Sequence, residues 1–154
     1  ESDNGLIWKK AALSQERDGD ETAFLFEPDG GVVAVGRRGR NNAQVCRSKP
    51  PYREWTRHDL DRYVGGPLLV KWGGRCLVGG REIVDGAGVT SLHWLLGDNE
   101  FVNAARLPSG GDNSYPGFVE LGPKRALLSW YSSHEKDADG KTVTAIYLAE
   151  LVIE

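Results

Sequence analysis

The chain of 154 residues has no methionine and only two cysteines, Cys46 and Cys76. Neither cysteine lies in a CxxC pair or beside histidines, which excludes the usual thiolate metal sites. Both sit in apolar strand-like runs, AQVC and RCLV, and are read as buried thiols in preference to a disulfide. Long apolar runs are also missing. None approaches the roughly 20 residues needed to cross a bilayer, so no membrane partner is expected. Charge of one sign is scarce: 19 Lys and Arg against 22 Asp and Glu leave a net charge of −3. That balance argues against a nucleic-acid partner held through bulk charge. No acidic cluster, phosphate-cradling loop or nucleotide fingerprint occurs, so neither a metal nor another cofactor is expected. No signal peptide stands at the start, and the absence of Met implies a processed chain or a piece of a longer one. Localisation stays open, with a secreted or periplasmic setting compatible.

Helical periodicity is the last absence. What is there instead is glycine, 20 residues of it, punctuating short β-rich runs: TAFLFE, GVVAVGR, PLLVKW, RCLVGG, VTSLHWL, ALLSWY and TVTAIYLAEL. The pattern is all-β. Three hairpin-like units line up, at 21–38, 65–82 and 114–133. Gly30 to Gly74 and Arg37 to Arg81 are both 44 residues, Trp55 to Phe101 is 46, and Trp8 to Trp55 is 47. A repeat of that length with about four short strands is the mark of β-propeller blades. The expected units are 14–60, 61–108 and 109–154, with 6–13 as an outer strand of a preceding or ring-closing blade. Three blades fall short of the 4–8 that close a propeller. The ring is expected to be completed by an N-terminal half or, as the second choice, by another copy of the chain.

Opposed residues in a hairpin have numbers that sum to a constant. In the first unit the sum is close to 59, so Glu21 faces Arg37 or Arg38. In the second, Gly65 or Gly66 faces Arg81, and in the third Tyr115 faces Tyr131. These positions are equivalent ends of inner strands, which surround one mouth of a propeller channel. Glu21, Arg37, Arg81, Asp112, Tyr115 and Tyr131 are therefore expected to converge. Tyr115 stands out, because a packing tyrosine has little use for the Pro116-Gly117 clamp that follows it. Arg38 and Arg40 in GRRGRNN are read as a solvated basic turn, and His58, His93 and His134 as surface or satisfied core residues.

Asp3-Asn4-Gly5-Leu6-Ile7-Trp8 has the form D-x-G-x-x-W and resembles the Asp-box turn of sialidase-type propellers. In such a turn an Asp bonds backbone amides and a Trp packs beneath. Ser48-Lys49-Pro50-Pro51 with Trp55 looks like a degenerate copy, and Asp98-Asn99-Glu100-Phe101 a weaker one. Glu21, the turn Pro28-Asp29-Gly30-Gly31 and Arg37 repeat the order of a Glu, a tight turn and an Arg found in that family. With Tyr115 at the start of a later inner strand, the whole chain resembles the later blades of the sialidase (neuraminidase-like, BNR-repeat) superfamily.

The resemblance implies an exo-glycoside hydrolase that cleaves a terminal, acidic sugar from a glycan, with Tyr115 as nucleophile and Glu21 as its base. It implies Arg37 as a carboxylate ligand, with Arg81, Asp112 and Tyr131 at neighbouring substrate positions. A neutral phenol suits a sugar whose anomeric carbon bears a carboxylate, where a carboxylate nucleophile would meet like charge. The family's general acid and first arginine would lie upstream of Glu1, so the chain alone is expected to be inactive. Arg106, nine residues before Tyr115, is not given the role of the family's third arginine. The alternative reading is a propeller that binds glycans or proteins at its mouth without chemistry.

Overall fold

A computed structural model describes residues 1–153; Glu154, the expected end of the third unit, lies outside the described residues. Strand makes up 61% of the chain, and no helix forms among the described residues. The first sheet has the order β1 (Gly19–Phe26), β2 (Val32–Arg38), β3 (Asn41–Ser48) and β4 (Thr56–Asp59). The second runs β5 (Gly65–Trp72), β6 (Arg75–Val84), β7 (Ala87–Leu96) and β8 (Glu100–Arg106). The third has three strands, β9 (Ser114–Gly122), β10 (Arg125–Lys136) and β11 (Thr142–Val152). Every pairing is antiparallel and joins strands adjacent in sequence.

Local chemistry sets the turns. Between β1 and β2, Asp29 Oδ1 accepts the Gly31 amide at 2.9 Å and Gly30 takes φ +82°. Between β5 and β6, Gly73 and Gly74 both adopt positive φ, as a two-residue primed turn requires. The hairpin registers then follow the sequence arithmetic closely. Thr22 pairs with Gly36, one short of the expected sum, and Gly65 pairs with Arg81.

Packing explains the composition of the middle sheet. Val33, Val35, Val45, Leu60, Leu69 and Val78 form a core between the first and second sheets. Trp72, Leu77, Leu92, Leu128 and Trp130 form another between the second and third. Neighbours Leu77 and Val78 therefore point into different cores, and a strand buried on both faces reads as an unbroken apolar run. β11 alternates instead: Tyr147, Ala149 and Leu151 pack inward, while Ile146, Leu148 and Val152 are exposed. The first strands of the three sheets adjoin in series, β1 against β5 and β5 against β9.

Two expectations fail at the N-terminus. Residues 6–13 form no strand; Lys9 exchanges two backbone hydrogen bonds with Glu1, at 2.6 and 2.8 Å, and Arg57 holds the Leu13 carbonyl at 2.8 Å. In the D-x-G-x-x-W turn it is Asn4, not Asp3, whose Oδ1 accepts the amides of Leu6 at 2.9 Å and Ile7 at 3.0 Å. Trp8 remains 73% exposed. The likeness between this turn and 48–55 is nonetheless real. Trp8 and Trp55 each donate Nε1–H to the carbonyl three residues back, both at 3.1 Å. Those residues, Gly5 and Tyr52, both have positive φ.

The cysteines are free, Cys46 buried and Cys76 half-buried. His93 departs from the satisfied-core reading: it is 2% exposed and its Nδ1 has no partner among the described residues. Arg106 bonds Glu82 Oε1 at 3.0 Å in the same seam between the first two sheets.

Candidate functional site

The hairpin of the first two strands in each sheet carries an irregularity at the same place; the third has a second one beside its turn, between Arg125 and Ala126. Asp20-Glu21 lie opposite Arg37, Gly66-Pro67 opposite Gly80, and Tyr115-Pro116 opposite Trp130. Two residues against one is a β-bulge, which bends the strand and re-aims its side chains. Pro67 and Pro116 suit the position because proline has no amide for the ladder. In the first sheet the Glu21 amide is taken by the Asp20 side chain at 2.6 Å. The third bulge corrects the expected facing of Tyr115 and Tyr131. Tyr131 pairs with Ser114, and Tyr115 is displaced into the bulge, where its ring stacks on Tyr131 at 6.1 Å.

The three bulges meet at one carboxylate. Glu21 Oε2 accepts the Gly66 amide at 2.9 Å and Arg37 Nη1 at 3.0 Å. Glu21 Oε1 accepts the Tyr115 hydroxyl. A side chain from the first sheet is thus bonded to backbone of the second and to a phenol of the third. Gly66 makes this approach feasible: a Cβ there would sit 2.6 Å from Ser114 Oγ and 3.1 Å from the Tyr115 amide nitrogen. The equivalent position in the third sheet is Tyr115 itself, at φ +49° against +57° for Gly66. A bulky residue in the left-handed region costs on the order of 1–3 kcal/mol and tends to mark functional positions.

The loop before Tyr115 is pinned. Asn113, fully buried, donates to the carbonyls of Gly88 at 2.9 Å and Gly111 at 3.1 Å and accepts the Thr90 hydroxyl at 2.8 Å. Ser114 Oγ donates to the Gly65 carbonyl at 2.5 Å. These buried polar residues are fully partnered, while Tyr115 is 58% exposed.

Arg81 and Asp112 form a second group. Arg81 Nη1 bonds Asp112 Oδ1 at 2.6 Å. Tyr63 stands between the groups: the Arg37 guanidinium lies 5.7 Å from its ring centre, and Tyr63 shares a cleft with Arg81. Arg37, Arg40, Tyr63, Arg81, Ile83 and three glycines line an open cleft of about 460 Å³. Asp20, 3.5 Å from Arg37 Nε, completes the charges. Of the six residues expected to converge, Glu21 bonds Arg37 and Tyr115, the Tyr115 ring stacks on Tyr131, and Arg81, which shares the cleft with Arg37, bonds Asp112. Sequence reasoning missed Asp20, Tyr63, Asn113 and Ser114, and named Gly66 only as a possible partner of Arg81. The Gly-Gly-Pro opening of β5 was the signal for Gly66; the other four carried none.

Electrostatics separate the proton donors from the acceptors. Burial pushes the Glu21 carboxyl up, but bonds from Tyr115, the Gly66 amide and Arg37 outweigh it and hold the group below its ordinary range. The Glu21 carboxylate pushes the Tyr115 phenol up. Asp112 is held low, first by Tyr131 and then by Arg81. The resting site is an ionised Glu21, a neutral Tyr115 and arginines already facing carboxylates.

No family model matches the chain, and neither does any curated protein. Among solved structures it is similar to the crystal structure of a protein of unknown function from Dyadobacter fermentans. The two are 20% identical with a TM-score of 0.70, over 99% of this chain and 44% of that one. At that identity the likeness extends to the fold alone, and this chain spans less than half the length of its neighbour.

Proposed function

We propose that the three sheets are consecutive blades of a sialidase-type propeller, and that the mouth cleaves a glycoside through Tyr115. The observation that carries this reading is the hydrogen bond from the Tyr115 hydroxyl to the Arg37-bound carboxylate of Glu21. It joins residues 94 apart in sequence at the one place where a phenol sits in a left-handed bulge. The ring reading draws support from the serial contact of β1, β5 and β9, the matched bulges and the two uncovered apolar faces.

In the reaction, the Tyr115 oxygen attacks the anomeric carbon as the bond to the leaving oxygen breaks. Glu21 takes the phenol proton. Water then attacks the glycosyl-tyrosine carbon and gives a proton to the group that protonated the leaving oxygen, while the departing tyrosine oxygen recovers its proton from Glu21. Because Tyr115 is shifted up and Glu21 down, transfer of the proton before attack is uphill. It accompanies carbon–oxygen bond formation instead. Asp112, held ionised by Tyr131 and Arg81, is ill suited to protonate the leaving group. That proton is assigned to a group outside these three blades. Arg37 orients an acidic group of the sugar while its other bonds fix Glu21.

The test is hydrolysis of acidic and neutral chromogenic aryl glycosides by a protein bearing the complete ring. Tyr115→Phe should lower kcat by about 10³-fold or more, and Glu21→Gln by about 10²–10⁴-fold. Unchanged turnover in Tyr115→Phe removes the tyrosine from the mechanism. One observation favours a second reading, a glycan-binding mouth without chemistry: Arg37 and Arg81 are both already paired with carboxylates of this chain. Glycan binding with no released sugar would favour it.

A further inference from the structure

The mouth contains an anion of its own at the position an acidic ligand would take. Asp112 lies 2.6 Å from Arg81 Nη1, and its carboxylate is 71% exposed while Arg81 is only 23% exposed. The backbone on both sides of Asp112 is fixed. The Gly110 amide bonds Ser132 Oγ at 3.1 Å, the Gly110 carbonyl accepts the Ser133 amide at 2.9 Å, and Asn113 is buried and fully bonded. A Cβ on Gly110 would come within 2.9 Å of His134 Cα, and one on Gly111 within 3.0 Å of Ser133 Cβ, so the loop lies tight against β10. Loop movement is therefore a poor route for releasing Arg81. Rotation of the exposed Asp112 side chain into water is an easy one.

We propose that Asp112 is the specificity-determining residue of this mouth, a tethered counter-ion that a ligand's carboxylate, sulfate or phosphate must displace to reach Arg81. The inference deepens the reading of the site as one for an acidic glycan and rests on it for the ligand, though not for Tyr115's chemistry. The charges nearby make the effect selective. Arg37 faces Glu21 and Asp20, Arg81 faces Asp112, and Arg40 adds one exposed cation without an ion pair among the described residues. With Asp112 in place, positive and negative groups at the mouth balance, and a weakly acidic ligand gains little from Arg81. Without it, Arg81 is a cation on the cleft wall, beside Tyr63, and open to any anion. An exposed ion pair is a weak competitor, so the gate raises the threshold without closing the site.

The experiment titrates the 154-residue chain with acetate, and separately with inorganic phosphate, following the Arg81 Nε–Hε resonance. Asp112→Asn should lower the half-saturating concentration of each anion by about fivefold, the range an exposed pair covers. Asp112→Glu should restore the wild-type value. A change of less than twofold in Asp112→Asn, or a response that does not centre on Arg81, overturns the proposal. Tyr115→Phe serves as the separating control: it should leave both titrations unchanged. Loss of catalysis and loss of the gate are thus read in different variants.

Discussion

Tyr115 and Gly66 hold the same place in two sheets, and the comparison isolates what the tyrosine costs. Both sit in the bulge at positive φ, where glycine is unstrained and an L side chain is not. Replacing Tyr115 by Gly should leave the chain about 1 kcal/mol more stable than replacing it by Ala, since both lose the ring but only Gly relieves the backbone. Thermal unfolding would show a gap of roughly 2–4 °C at this chain length. Equal midpoints would mean that the bulge does not strain residue 115. The opposite substitution, Gly66→Ala, should destabilise by about 2 kcal/mol or more, because its Cβ meets Ser114 Oγ at 2.6 Å. At this scale the sequence was informative about identity and vague about geometry. The Pro-Gly clamp singled out Tyr115, and the hairpin sum set Glu21 opposite Arg37 or Arg38, of which Arg37 makes the bond. Tyr63 gave no warning, because a tyrosine in a connecting segment is held by packing that only the assembled sheets create.

At the scale of elements, the seam between the first and second sheets contains a buried polar cluster. Glu82, 5% exposed, faces Ser91 at 2.7 Å, Arg106 at 3.0 Å, Arg62 at 3.4 Å and His93 at 3.7 Å. His93 stacks flat on Phe101 at 5.0 Å. Burial drives its pKa down to about 4 from 6.5, against the pull of Glu82 and with the push of Arg62. The sign follows from linkage. The unfolded chain takes up this proton below pH 6.5, and the folded chain does so only near pH 4. Stability from the neutral histidine is complete above pH 6.5, falls between those values and levels off below. The loss amounts to about 3 kcal/mol at roughly 1.4 kcal/mol per pH unit. His93→Phe keeps the stack and removes the titration. Urea midpoints at pH 7 and pH 4.5 should therefore converge in the variant relative to the wild type. Parallel declines would place the acid sensitivity elsewhere. Strand positions and turns of these elements were legible from apolar runs and Gly signals. The bulges were not, because one extra residue in a strand leaves no trace in a period-two pattern. The N-terminal strand failed for a related reason: a strand is a relation between neighbours, and residues 6–13 lie beside no strand of the three sheets, Lys9 bonding only back to Glu1.

For the whole molecule, what matters is which faces are covered. The middle sheet is enclosed on both sides, whereas the third presents Val119, Leu121, Ile146, Leu148 and Val152, and the first presents Phe24 and Phe26. Aromatic pairing shelters the first face in part: Trp55 meets Phe24 at 6.4 Å and Tyr52 meets Phe26 at 6.1 Å. The third face has no such cover, and contiguous apolar surface of this kind marks an interface. In the proposed ring, further blades lie against both. Their absence predicts how the 154-residue chain behaves alone: the open faces should drive concentration-dependent association and bind a hydrophobic dye. Ile146→Lys with Leu148→Lys places charges on the most exposed part of the third face without touching the inward Tyr147 or Ala149. Because both residues are already solvent-exposed, folding stability should change little, within about 0.5 kcal/mol. Dye fluorescence should drop severalfold, and light scattering should show a smaller mass at the same concentration. A wild-type chain that stays monomeric at millimolar concentration without binding dye would mean that its uncovered faces need no further blade, and the ring would lose its main physical motive.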